Sequence, residues 1–171
     1  IIGNSAAGEG GGINSTDAHI NMGESFVLCN SAGDTGGGLR FFGGYQSINN
    51  TIIANNDAAV EGGGIKFTGS NSHLEFCTIV NNQSSVCAGG IVVVYDQVQI
   101  SNSIIYGNGA GSLCSIQEGS FDVSFSNIEG GHIGEGNINS NPLFCDADGD
   151  NFELAQNSPC ISSGNDGANM G

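Results

Sequence analysis

The sequence predicts an all-β fold, a right-handed parallel β-helix with about 26 residues per coil. Three observations predict it. The phrases EGGGINST, TGGGLRFF, EGGGIKFT and CAGGIVVV recur on one beat, so that Gly12, Gly38, Gly64 and Gly90 are each 26 residues apart. Asn4, Asn30, Asn56, Asn82 and Asn108 keep the same step, with Ile1, Val27, Ile53, Ile79 and Ile105 three residues before them. Between these columns the pattern alternates at short range, as in VQISNSII, which places Val98, Ile100, Asn102 and Ile104 on one side of a strand.

Each element follows from the period. The apolar residues after the glycines, Ile13, Leu39, Ile65 and Ile91, are expected to stack inward. The next position, Asn14, Arg40, Lys66 and Val92, then faces out, as do Thr16, Phe42, Thr68 and Val94. Glycine and asparagine suit the corners, where the backbone leaves the β region. The stacked asparagines form a structural ladder, bonding amide to amide along the axis. The triple glycine is not a phosphate loop, since no lysine follows it in that arrangement and no helix is signalled. Crossovers between parallel strands are right-handed, which sets the hand.

Length predicts one domain over 1–171, with regular coils over 1–115 and irregular coils and a C-terminal cap over 116–171. The repeat is already running at Ile1, so a segment of a longer surface or secreted protein is expected. Net charge is −15, from 17 acidic residues against Arg40 and Lys66. That excludes nucleic acid and anionic membranes as partners. No apolar run is long enough for a membrane span.

Six cysteines fit an oxidising compartment. Cys87 lies over position 113, one residue from Cys114, so neighbouring coils bring this pair together. Cys145 and Cys160 flank the C-terminal segment as a second expected disulfide. Cys29 and Cys77 are expected to be buried thiols. No CxxC occurs, which argues against zinc.

Two clusters carry possible chemistry. Arg40 and Lys66 stack on adjacent rungs with Phe42 and Thr68, a strip suited to a sugar or an anion; the alternative is two solvated cations relieving an acidic surface. No acidic residue is expected on that strip apart from Asp17 and Asp96 at its edge, which weakens lyase chemistry. DADGDN places Asp146, Asp148 and Asp150 at positions 1, 3 and 5 of a calcium loop. Asn157 stands where that loop has its bidentate glutamate, and Asp, Gly and Asn also make ordinary turns. A calcium ion there has a structural role; no cofactor is required. The histidines share no column, so a triad is unsupported. The sequons at Asn14, Asn49 and Asn82 matter only in a glycosylating host.

The GGGI and NN phrases resemble the repeats of polymorphic outer-membrane proteins. FSNIEGG, GEGNINSNPLF and NSPCISSGNDG are similar to the C-terminal stretch of secreted bacterial β-helix proteins that carry a surface anchor. The resemblance implies the fold and an extracellular or cell-surface setting. It departs at Cys145 and Cys160, where that family has aliphatic residues. The fold hosts several activities. The expected function is a non-catalytic module of adhesin, stalk or filament type, whose partner is a polysaccharide, another surface protein or an adjacent β-helix segment. The alternative is a carbohydrate-active enzyme or binding module for acidic polysaccharide. An ice-binding face would need a regular threonine array, which Thr16, Phe42, Thr68 and Val94 do not supply.

Overall fold

Ile13, Leu39, Ile65 and Ile91 stack in register, and with them the chain winds into a parallel β-solenoid of five turns. The computed structural model describes all residues, 1–171. Ile13–Thr16, Leu39–Phe42, Ile65–Thr68, Ile91–Val94 and Leu113–Ile116 form one wall. The second wall bends in two along its length; it contains Ile20–Leu28 and Tyr45–Ala54, then pairs of shorter strands in later coils. A narrow third wall is made by Ser5–Ala6, Ser31–Ala32, Asp57–Ala58 and Gln83–Ser84. Alternation fills the interior with Leu39, Phe41, Ile48, Ile53, Phe67, Leu74, Ile79 and their stacked equivalents. Phe41 and Phe67 lie ring on ring at 5.5 Å.

The three glycines of each triplet have different duties. The first takes a left-handed conformation, as at Gly36 with φ 68°. The third admits the neighbouring coil. A Cβ on Gly38 would stand 2.7 Å from the Gly64 carbonyl oxygen and 3.1 Å from Cγ of Asn56. One on Gly64 would meet Gly90 O at 2.8 Å and Cγ of Asn82 at 3.2 Å. Coils therefore pack at strand spacing only if this column has no side chain.

The asparagine column is a continuous ladder. Nδ2 of Asn30 donates to Oδ1 of Asn56 at 2.9 Å, and Nδ2 of Asn56 to Oδ1 of Asn82 at 2.9 Å. Each Oδ1 also accepts a backbone N–H from the coil before, Asn30 N at Asn56 and Asn56 N at Asn82, both at 3.0 Å. Asn4 and Asn108 continue the ladder at either end. These asparagines are not the left-handed corner residues. That role falls one position earlier, on Cys29, Asn55 and Asn81 with φ of 55°, 56° and 55°. Cys29 is consequently exposed, not buried as expected, because the corner turns it outward.

Cys77 is a buried thiol in a column that alternation alone does not reveal. Ser25, Thr51, Cys77, Ser103 and Ser126 each follow a left-handed residue and turn inward. Each donates to the carbonyl two residues back, at 2.7–2.8 Å for the hydroxyls and 3.4 Å for the thiol. Cys77 occupies a hydroxyl position, and burial pushes its thiol up to about 12.

The fifth coil is short. Ile91–Val94 pairs with Leu113–Ile116, so Cys114 lies opposite Val92 instead of beside Cys87's own column. The Cys87–Cys114 disulfide nevertheless forms, with a Cα separation of 6.1 Å. The expected Cys145–Cys160 disulfide does not. Cys160 is buried against Ile104 and Met170, with Asn127 Nδ2 donating to its sulfur at 3.1 Å, whereas Cys145 is exposed on a hairpin.

That hairpin, Phe144–Asp146 with Asn151–Leu154, departs from the expected end cap. The end itself is crossed earlier, where Asn137 donates to Val123 O and accepts from Ser126 N. The chain then returns along the flank of the solenoid. Phe152 packs on Ala54 and Val80, and Met170 and Cys160 cover Ile104. Ile104 therefore faces outward, not with Val98. The left-handed Asn102, φ 49°, intervenes and resets the alternation, so Ile105 takes the inward position.

Candidate functional site

The strip of Arg40, Phe42, Lys66 and Thr68 does share one outer face, but its charges are occupied. Arg40 Nη2 lies 3.1 Å from Glu9 Oε2, and Lys66 Nζ lies 2.9 Å from Glu61 Oε2. The Arg40 guanidinium also sits 5.1 Å from the Phe42 ring centroid, and Nη1 donates to Asn14 Oδ1 at 3.3 Å. The glutamates arrive from the turn before the glycine corner, which is tight enough to fold them over the strand. Glu9, Thr35, Glu61 and Cys87 are one 26-step column, a signal legible in the sequence. Glu61 reaches Lys66 within its own coil, whereas Cys87 meets Cys114 across coils as Glu9 meets Arg40, so the disulfide stands in the place of that ion pair. It closes over Val92, which is fully buried on this outer face.

Asp146, Asp148 and Asp150 do not converge, and no trio of carboxylate, His or Cys side chains in the chain is placed to hold a metal ion. Asp146 caps a single 3-10 turn, its Oδ1 accepting from Gly149 N at 3.2 Å. Asp150 takes a left-handed conformation and accepts from Asn55 Nδ2. Asp146 and Asp150 thus each answer a turn backbone or a neighbouring side chain, as turn residues do.

A groove lies around the corner from the strip, between the two main walls. Its larger part has a volume of about 430 Å³ and is bounded by Gly69, Ser70, Tyr95, Asp96 and Glu118. It continues into a hollow of about 260 Å³ beside Tyr45, His73 and Gln99; Asn71 and Gln97 line both parts. The corner column explains the shape. Coil three has Gly69 and Ser70 there, so the surface dips. Tyr45 on coil two and Tyr95 on coil four stand at either side, 46% and 58% exposed. Tyr95 is held at φ 51°, where the two preceding coils have Gly43 and Gly69. A bulky residue there is strained.

Asp96 forms the floor, only 4% exposed. Ser70 Oγ donates to its Oδ2, and Gln97 N to its Oδ1 at 2.7 Å. Ser70 in turn contacts Ser72 at 3.1 Å, and Ser72 donates to Gln46 Oε1 at 2.9 Å. Burial raises the pKa of Asp96, and the Ser70 and Gln97 bonds only partly offset it. The proton inventory agrees. With Asp96 charged, both serine protons are committed outward and the Ser70–Ser72 contact lacks a donor. With Asp96 neutral, one donor direction runs from Asp96 through Ser70 and Ser72 to Gln46.

Asp96→Asn restores that direction without a charge. Its urea midpoint near neutral pH is expected to equal or exceed that of the wild type. A raised native pKa means stability that is present below the ordinary carboxylate range and lost as pH rises through the raised value. The wild type should therefore gain on Asp96→Asn as pH falls to about 4. A difference between the two proteins that does not change with pH would show that Asp96 is not held toward its neutral form.

Compared with family models, with curated proteins and with solved structures, the chain matches none.

Proposed function

We propose that this chain is a non-catalytic interaction module of an extracellular or cell-surface protein, a stiff solenoid segment that presents a lateral groove to a partner. The observation that carries this reading is the occupation of its reactive side chains by structure. Both cations are paired with glutamates, the asparagine amides hold coil to coil, the hydroxyl column bonds carbonyls of its own coil, and Asp146 caps a turn. The disulfide supports an oxidising setting. The acidic surface disfavours nucleic acid.

A carbohydrate-active enzyme is the second reading, and one observation favours it: Asp96, held toward its neutral form, shares the groove with Glu118. Paired carboxyls of that kind are what glycoside hydrolysis uses. Incubation with polygalacturonate, alginate and neutral glucans decides between the two. No release of reducing ends or unsaturated products is expected. Turnover that disappears in Asp96→Asn would overturn the non-catalytic reading.

A further inference from the structure

We propose that the groove between Tyr45 and Tyr95 binds a neutral oligosaccharide. The proposal rests on the reading of the chain as an interaction module and names the ligand class of its groove.

Charge selects the class. The lining has no lysine or arginine, whereas Asp96 and Glu118 both line the larger part. With a net charge of −15 around it, an acidic polysaccharide is repelled. An apolar ligand is equally unsuited, because the groove is lined mainly by amides, hydroxyls and carboxyls. The remaining class is uncharged and rich in hydroxyls.

Geometry fits that class. Asn71 and Gln97 lie on adjacent rungs and line both parts of the groove. Each amide offers donors and an acceptor, matching hydroxyls that do both. Glu118 adds acceptors at one end. The tyrosine rings supply apolar faces at either side with few rotatable bonds to immobilise. They stand two rungs apart, about 10 Å along the axis, a span that about two linked sugar rings fill.

Tyr95 supplies the independent observation. Its corner takes a left-handed backbone in every coil, at Asp17, Gly43, Gly69 and Gln117 as at Tyr95, and a large ring stands only on the fourth coil. The chain keeps a tyrosine there despite the strain, with its ring projecting into solvent at the groove edge. Packing does not explain it, because the ring is mostly exposed. A large aromatic ring held in solvent at the edge of a polar groove is placed to stack on a sugar face.

The test uses the full chain and a panel of soluble neutral hexasaccharides: β-linked glucose, xylose and mannose series, with hexagalacturonate as the acidic counterpart. Binding is read by titration calorimetry and by shifts of backbone amide resonances. At least one neutral hexasaccharide is expected to bind, with shifts confined to Tyr45 and its neighbours and to residues 69–73, 95–99 and 118–120, and hexagalacturonate is expected not to. Tyr95→Gly removes the ring and relieves the backbone, so it is expected to melt at a higher temperature than the wild type while binding at least about tenfold more weakly. Tyr95→Phe is expected to retain binding, and Phe42→Ala, on the neighbouring strip, to leave it unchanged. Failure of every neutral sugar to bind, binding unaffected in Tyr95→Gly, or preference for hexagalacturonate would each overturn the proposal. None of these outcomes touches the non-catalytic reading, which falls only if a bound sugar is cleaved.

Discussion

Reduction of the Cys87–Cys114 disulfide is expected to destabilise the solenoid by about 3–4 kcal/mol. The bridge closes a loop across a sequence separation of 27, and opening it restores that loop's freedom to the unfolded chain. The loss should not be uniform. The bridge lies over Val92 and joins the fifth coil to the turn of the fourth, within a small apolar cluster of Ala88, Val92, Val94 and Ile116. Amide exchange in Leu113–Ile116 should therefore accelerate before exchange in the inner coils. Denaturant titration with and without reductant, beside a Cys87→Ser/Cys114→Ser protein, measures both effects. Equal midpoints with and without reductant would show that the ladders alone hold the fifth coil.

Asn56→Ala is expected to cost about 2–4 kcal/mol, from hydrogen bonds lost inside the solenoid. The Asn56 amide serves four partners. Its Oδ1 accepts from Asn30 N and Asn30 Nδ2, and its Nδ2 donates to Val27 O and Asn82 Oδ1. Alanine leaves Asn30 N without an acceptor in a fully buried place. Asn56→Asp, nearly the same shape, should be worse near neutral pH. It would set a buried anion against Val27 O and Asn82 Oδ1, two acceptors with nothing to donate. Urea midpoints of the two variants separate shape from hydrogen bonding. If the aspartate variant matched the wild type, the ladder would be a packing column and not a bonded one.

The coil and its period are legible in the sequence because two residue types, glycine and asparagine, are each demanded by something that repeats every turn. The glycine demand is steric, since the neighbouring coil's carbonyl occupies the Cβ position. The asparagine demand is valence, since the site accepts two hydrogen bonds and donates two more, which a short amide side chain does and a hydroxyl with one proton does not. The hydroxyl column was hidden because Ser, Thr and Cys satisfy it interchangeably, so identity did not repeat even though chemistry did. Left-handed corners were hidden likewise: Cys29, Asn55, Phe76 and Tyr95 all occupy them. A reading that assumes unbroken alternation therefore carries Ile104 to the wrong side past Asn102. An unshortened fifth coil predicts the Cys87–Cys114 pairing, and the pairing holds in the shortened one because a turn residue and an outward strand residue meet there as Glu9 and Arg40 do. The groove is not legible, because it depends on side-chain size in several columns together: small residues at Gly43, Gly44, Gly69 and Ser70, Tyr95 beyond them, and Tyr45 in the column of Asn71. Its one sequence trace is Tyr95, which follows Gly43 and Gly69 at the 26-residue step.

The fifth coil reaches the first wall without the narrow third wall: between Asn108 and Leu113 there is no counterpart of Gln83–Ser84. The asparagine before the gap and the strand after it both keep their places on the coil below. Length at this turn is thus decoupled from register, unlike length within the two main walls, where one added residue would reverse every side chain beyond it. The corresponding turn in the fourth coil carries Ser85 and Val86, both exposed. A foreign peptide spliced between them would be carried outside the stack, and the same molecule would become a scaffold on which a chosen epitope is displayed at a fixed height along a rigid axis.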